Sequence, residues 1–471
     1  MLRFAPSPTG DMHIGNLRAA IFNYIIARQN KEEFLIRIED TDKVRNIEGK
    51  DKEILSLLNL FGLFWDRLVY QSDNFKYHNL IAQELIKKGK AFYCYASKEF
   101  LENKRQEAIE ENKPFRYKDC WAEMQKDENP NPVIRLKSAE KDISFYDEVK
   151  GECKFDKFEI DSFVIIREDS IPTYNFACSI DDMLYNISFI IRGEDHTSNT
   201  PKQILIRQSL EYDSEIKHAH LPIILNKDGK KMSKRENESS VKWLLEQGFL
   251  PKAILNYLVL MGNKTPKEIF SLEEAIDFFS LSNISKSPVR FDIDQLRYIN
   301  REHLKNLNEK EMALLLESSD LSIGALGKIY LEEASTLNEI RDRIKKILSP
   351  KNTEIKNIES KSTESCEESC NAKSKNAESS KLDDKDAKDL AIYKDKISLL
   401  RKVILDLINA NDNVINDFDS LKAKVMSETK LKGKDLFLPL RFLLTGAFSG
   451  PHLNILYPYL RFYLKDIIRG E

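Results

Sequence analysis

The chain is poor in cysteine, has no long apolar run and carries almost no net charge, and each shortage excludes something. Its 471 residues include six cysteines, Cys94, Cys120, Cys153, Cys178, Cys366 and Cys370. They are sparse and suggest no pairing, which argues against a disulfide-stapled secreted fold and for a reducing compartment. No apolar stretch reaches the roughly 18–20 residues that a membrane helix needs, so no membrane partner is expected. A candidate phosphate-binding turn begins already at Arg3, ahead of which no cleavable leader fits. A cytoplasmic protein is therefore the expectation. The formal net charge of −3 gives no bulk polycation, so any nucleic-acid surface has to be a local patch. There is no internal repeat.

What is present is a chain too long for one core, with an expectation of about three to four domains. Apolar residues make up 41% and aromatics 10%, enough for well-built cores. Residues 2–6 read as a strand, residues 15–29 as a helix with Leu17, Ala20, Ile21, Tyr24, Ile25 and Arg28 at helical spacing, and Phe34–Ile38 as a second strand. This β-α-β order implies a parallel pair with ligands beyond the strands' carboxyl ends. Residues 91–155 turn mixed and rich in Lys and Glu, with a strand at Val133–Leu136, and read as an inserted α+β module. The parallel pattern is expected to resume with Ser162–Ile166 and with Ile187–Ile191. Helical periodicity dominates from about 239 to 345 and returns over 391–471. Residues 351–390 are almost devoid of large aliphatics and lack aromatics, so they read as a disordered insertion.

Two runs carry the chemistry. Arg3-Phe-Ala-Pro-Ser-Pro-Thr-Gly-Asp-Met-His-Ile-Gly-Asn16 is a short strand, a turn shaped by proline and glycine, and a helix opening near Gly15. It places His13 and unpaired backbone N–H groups at a helix N-terminus, where phosphate is welcome. Asp228-Gly-Lys-Lys-Met-Ser-Lys-Arg235 is a glycine-led loop that offers Lys231 and Lys234 on a hinge. Such a cationic loop can close over a polyphosphate in a transition state and open for release.

Together these runs resemble the HIGH and KMSKS signatures of class I aminoacyl-tRNA synthetases, and their flanks resemble bacterial-type glutamyl-tRNA synthetases. Asn16 stands where the first motif's last letter is His. The resemblance covers nearly the whole chain apart from 351–390 and the last residues. It implies an α/β fold: a Rossmann-like parallel-sheet catalytic domain with an inserted α+β module, followed by mostly α-helical C-terminal domains. It divides the chain into catalytic halves at 1–90 and 159–225, an acceptor-binding module at 91–158, the lysine loop and a helical stem-contact region at 226–290, and anticodon-binding helices at 291–350 and 391–471. It implies a glutamate–tRNA ligase: ATP and glutamate form glutamyl-adenylate, and the acyl group passes to the 3′ end of tRNA(Glu). Relatives often need bound tRNA before they activate glutamate. Mg2+ is implied by the ATP chemistry, and a monomer is expected.

The resemblance also implies residue roles. His13, Lys231 and Lys234 are the expected catalytic groups. His13, Gly15, Asp195, Ile224 and Lys234 are the expected ATP contacts, Lys234 the principal one. Arg3, Ala5, Ser7, Glu39, Tyr174 and Arg192 match glutamate-contacting positions, with Glu39 on the α-ammonium. Guanidinium groups hold carboxylates bidentately, which favours glutamate over glutamine. Which arginine faces which carboxylate stays open. Cys178 sits where some relatives carry Asn and is expected to pack rather than react. Relatives with a structural zinc carry a Cys-x-Cys pair, which Cys94-Tyr-Ala96 lacks, so no metal site is expected. Gly433–Gly446 resembles the family's anticodon-binding helices. A non-discriminating or tRNA(Gln)-specific enzyme, with a Glu-tRNA(Gln) amidotransferase as partner, is the alternative. A silent tRNA-binding paralogue is the remote one.

Overall fold

The structure is a computed structural model that describes residues 1–127, 129–232, 237–349, 384–410 and 413–469. By its internal contacts the chain forms two compact units. The first comprises Met1–Glu246 and Pro251–Ile299, the second Gln247–Leu250 and Asn300–Glu471.

The first unit is built on a seven-stranded sheet. Its parallel core is β1 (Leu2–Phe4), β2 (Phe34–Ile38), β3 (Arg67–Tyr70), β9 (Phe189–Gly193) and β10 (Lys217–Leu221). The strand order is β3-β2-β1-β9-β10-β6-β7, where β6 is Ile143–Asp147 and β7 is Gly151–Phe155. β6 runs parallel to β10, and β7 turns back antiparallel on β6. Strand order reverses between β1 and β9, which leaves a crevice beyond their carboxyl ends. Both expected strands of the β-α-β unit are present, and β2 has the expected bounds.

Helix α1 (Ile14–Asn30) follows β1. Its spacing suggests one apolar face, yet Ile14 and Leu17 through Ala27 are all buried. The reason is a second layer: α8 (Pro251–Leu260) and α9 (Leu272–Phe278) pack against the face turned away from the sheet. Arg28 alone of the expected stripe stays at the surface, paired with Asp66.

Two expectations are corrected. Ser162–Ile166 does not extend the parallel sheet. β8 (Phe163–Ile166) pairs antiparallel with β5 (Val133–Leu136), which pairs antiparallel with β4 (Ala91–Cys94), in a separate three-stranded sheet. An apolar run shows burial but not its partner, and here Ile134, Leu136, Ile165 and Ile166 close over Ala82 and Leu85 of the helix Phe75–Lys87. Conversely, residues 143–155, assigned by sequence to the inserted module, supply the β6–β7 hairpin of the main sheet.

The second unit is helical. Gly324 permits a close helix crossing there, since a Cβ on it would lie 1.9 Å from the Glu309 carbonyl oxygen of the helix Glu309–Leu315. The expectation of disorder over 351–390 lies outside the described residues as far as 383. From Asp384 the chain is helical to Asn409. Leu390 belongs to the core there, with Ile397, Leu400 and Ile404 at helical spacing behind it.

Candidate active site

The run after β1 is tied down on both sides before α1 begins. The Glu39 amide donates to the Pro6 carbonyl and the Ile47 amide to the Pro8 carbonyl, both at 2.9 Å. His13 is the extended N-cap of α1, and its Nδ1 accepts the Gly15 amide at 3.0 Å. Nδ1 is therefore unprotonated, and the ring proton of the neutral form sits on Nε2. The helix N-terminus expected near Gly15 is present. A Cβ on Gly15 would stand 3.3 Å from that Nδ1.

This cap forms one wall of a cleft of about 460 Å³ at the β1–β9 crevice. Arg3, Ala5, Ser7, His13 and Gly15 line it from the β1–α1 side. Glu39 enters from the end of β2, and Tyr174 from the first turn of α5 (Tyr174–Leu184). Arg192 and Asp195 come from the end of β9 and the turn after it. Ile224 and Lys231 close the far side. Every expected site residue that is described thus lines one cleft. Lys234, together with Ser233, lies outside the described residues.

The floor is ionic and dry. Arg3 donates from Nε to Asp182 Oδ1 at 3.1 Å and from Nη2 to Oδ2 at 3.4 Å. Arg37, fully buried, donates to the same Oδ1 at 2.6 Å and to Glu39 Oε1 at 3.1 Å. Burial alone would raise the Asp182 carboxyl, but Arg3 and Arg37 outweigh it and hold it well below the usual range. The Cys178 thiol lies between Arg37 Nη2 (2.9 Å) and Glu39 Oε1 (3.2 Å). Burial first, then Glu39, pushes that thiol far up. Asp181, next along α5, is held by His78 at 2.8 Å and Gln71 at 2.8 Å.

Tyr174 is half-buried; desolvation first, then Cys178 and Glu39, keeps its phenol strongly protonated, and its hydroxyl meets His196 Nδ1 at 3.2 Å. Burial, then Arg192, pushes His196 down to about 4. Arg192 donates from Nε to His220 Nε2 at 3.3 Å and from Nη2 to Thr200 Oγ1 at 2.7 Å. At the mouth, Lys231 and Asp195 face each other at 3.5 Å, both more than half exposed. Lys231 is placed by a tight hairpin: the Asn226 amide bonds the Lys230 carbonyl, the Met232 amide bonds the Ile224 carbonyl, and Gly229 takes φ +75° at the turn.

Sequence reasoning missed the groups behind the cleft. Arg37 opens the run Arg37-Ile-Glu-Asp40, two residues before Glu39 on the same strand face, and that spacing could have found it. Asp182, Asp147 and His220 carry no local signal. Cys94 is buried with its sulfur 3.0 Å from the Tyr117 hydroxyl, while Cys120 is exposed. Among the described residues no group of three His, Cys, Asp or Glu side chains could hold a metal ion, and no helix is long and apolar enough to cross a membrane.

Comparison with known proteins agrees with this geometry. Residues 1–298 match the family model described as tRNA synthetases class I (E and Q), catalytic domain. The chain is 58% identical over 469 residues to a protein of Helicobacter hepaticus named Glutamate--tRNA ligase 2, covering 100% of this chain and 99% of that one. It is 51% identical over 470 residues to a Helicobacter pylori protein named GlutamylGlutaminyl-tRNA synthetase, with 100% and 99% covered. In fold it resembles a crystal structure of a glutamate tRNA ligase from Elizabethkingia meningosepticum, with a TM-score of 0.78, 23% identity and 99% and 98% of the two chains covered.

Proposed function

The chain belongs to the class I glutamyl-tRNA synthetases, and on that premise we propose the division of labour by which its cleft joins glutamate to tRNA. As a glutamate–tRNA ligase it activates glutamate with ATP and passes the acyl group to a tRNA. The glutamate carboxylate attacks the α-phosphorus, pyrophosphate leaves, and negative charge grows on the triphosphate. Positioning and electrostatic stabilisation dominate such a step.

In our reading the α1 N-terminus receives phosphate, with the protonated Nε2 of His13 and the backbone near Gly15 as donors. Asp195 and Ile224 flank the adenosine. Lys231 and Lys234 move onto pyrophosphate as it departs, and Lys231 gives up Asp195 to do so. Glu39 takes the α-ammonium, while Ala5, Ser7 and Tyr174 shape the amino-acid pocket and Arg3 and Arg192 meet its carboxylates. The carrying observation is that two arginines and one carboxylate from separate strands converge on one cleft, which is what an amino acid with one ammonium and two carboxylates requires. No cluster of protein ligands for Mg2+ occurs among the described residues, so the ion would enter on the nucleotide's phosphates and no step is routed through it.

We further propose that the 91–158 module meets the acceptor end, the 226–290 region the stem, and the helices of 291–350 and 391–471 the anticodon, in a cytoplasmic monomer. The expected acceptor is tRNA(Glu). A second reading, in which tRNA(Gln) is also charged for later amidation, is favoured by the printed name of the Helicobacter pylori relative. Charging of separately transcribed tRNA(Glu) and tRNA(Gln) with glutamate and ATP tests both. Charging of tRNA(Glu) alone supports a discriminating enzyme, charging of tRNA(Gln) the indirect route, and charging of neither overturns the assignment.

A further inference from the structure

Arg192 is held from behind. Its Nε and Nη2, the side-on edge of the guanidinium, are engaged by His220 and Thr200. Its Nη1 is buried without a hydrogen-bond partner among the described residues, although the side chain lines the cleft. An orphaned donor on a buried cation is costly unless a ligand completes it.

The grip on Arg192 depends on one tautomer of His220. Asp147, the last residue of β6, accepts the His220 Nδ1 proton at 2.6 Å and the His220 amide at 3.0 Å. Its other oxygen is occupied by the amides of Val149 at 3.0 Å and Lys150 at 2.8 Å. With the proton on Nδ1, His220 Nε2 is a lone pair, and it accepts both Arg192 Nε and the Thr200 hydroxyl, the latter at 3.0 Å. Were the proton on Nε2, two N–H groups would oppose each other. Asp147 and His220 are both fully buried, so no water can repair that conflict.

We propose that Asp147 and His220, with Thr200, are positioning residues that fix Arg192 so that Nη1 is presented to a carboxylate of the bound glutamate. This rests on the reading of Arg192 as a glutamate contact. It also gives the β6–β7 hairpin a role in the cleft that it does not itself line.

The test is steady-state ATP–pyrophosphate exchange with tRNA present, on the full chain. Asp147→Asn is nearly isosteric. Because one oxygen must still serve Val149 and Lys150, its amide nitrogen faces His220 Nδ1 and drives the proton to Nε2. The expected result is a KM for glutamate raised by about tenfold or more, with the KM for ATP little changed; a lowered thermal midpoint accompanies it, because the His220 amide loses the same acceptor. Thr200→Val should raise the glutamate KM in the same way and Thr200→Ser should restore it, which a purely structural role would not produce.

Arg192→Ala separates the two levels of inference. If it leaves the glutamate KM unchanged, the reading of Arg192 fails and the proposal falls with it. If it raises that KM while Asp147→Asn and Thr200→Val do not, the positioning role is overturned and the contact stands. If all three raise it, Asp147→Asn added to Arg192→Ala should cost nothing further, and an additive loss would overturn the coupling.

Discussion

Arg37 donates to Asp182 across 2.6 Å, and neither group touches solvent. Arg3 shares the same carboxylate, so one aspartate on α5 sets the position of two cations from neighbouring strands. Arg37 in turn holds Glu39. The cleft's amino-acid side, Arg3 and Glu39, is thus mounted on Arg37 and Asp182, which do not themselves line the cleft.

Removing Asp182 should be severe. Asp182→Ala leaves Arg3 and Arg37 buried with less than their full set of partners, a change of about 3–5 kcal/mol. A fall in the urea midpoint of the first unit's transition, with loss of glutamate-dependent exchange, is the expected outcome. A variant as stable as the parent would show that Asp181 and Glu39 suffice to neutralise the pair.

The cysteines should separate by reactivity. Cys120 is exposed, whereas Cys178 is sealed and its thiol is pushed far up by burial and by Glu39. Native protein treated with iodoacetamide near neutral pH should carry label on Cys120 and none on Cys178, as read by peptide mass spectrometry. Label on Cys178 at a comparable rate would mean that the cleft floor opens to solvent.

Gly15→Ala tests the cap. A helix gains from alanine, by up to about 1 kcal/mol, but the new Cβ would press on His13 Nδ1 at 3.3 Å. Stability should hold or rise while adenylation slows by about tenfold or more. Unaltered exchange kinetics would remove His13 from the proposed phosphate contacts.

Acid should weaken the fold through two buried histidines, His218 and His220, and the half-buried His196. Burial is the leading cause of the downward shift in each: His196 falls to about 4, His218, with Arg207 beside it, to about 2, and His220 shifts in the same direction. Below 6.5, their ordinary value, the unfolded chain takes up protons that the folded chain refuses. Stability is therefore full above that pH and falls as the pH drops, by about 1.4 kcal/mol per pH unit for each histidine still neutral. For His196 the loss runs to about pH 4. Asp182, held low by its arginines against burial, adds loss in the same direction at lower pH. Urea midpoints compared at about pH 7 and about pH 5 should show the decline; a flat profile would contradict the dry setting of these rings.

Legibility followed locality. β2 could be read because Phe34, Leu35, Ile36 and Ile38 form an apolar run broken only by Arg37, and the α1 cap because His13, Gly15 and the prolines act on their own neighbours. β10 could not: Lys-His-Ala-His-Leu looks polar, yet four of its five residues are buried, because His218 and His220 find partners inside the sheet layer. β8 was visible as a strand but not its direction, since pairing depends on what lies opposite. The cleft-lining residues sit in contiguous motifs. Their supports do not: Asp182 lies 179 residues from Arg3, and Asp147 lies 73 from His220, distances at which a single sequence carries no geometric signal.

The place of β1 has a consequence for biosynthesis. Of the strands in its sheet it is the first to leave the ribosome, yet one of its two neighbours is β9, at Phe189–Gly193. At roughly 5–20 residues per second, the phosphate-binding turn would wait roughly 10–40 s for the chain that completes its crevice. Throughout that interval a nascent chain already carrying Arg3 and Arg37 lacks Asp182, so the two cations destined for the interior are without the carboxylate they share, and Arg37 has only Glu39. The sheet around β1 cannot be completed before β9 has been made, and the binding floor is completed no earlier than Asp182.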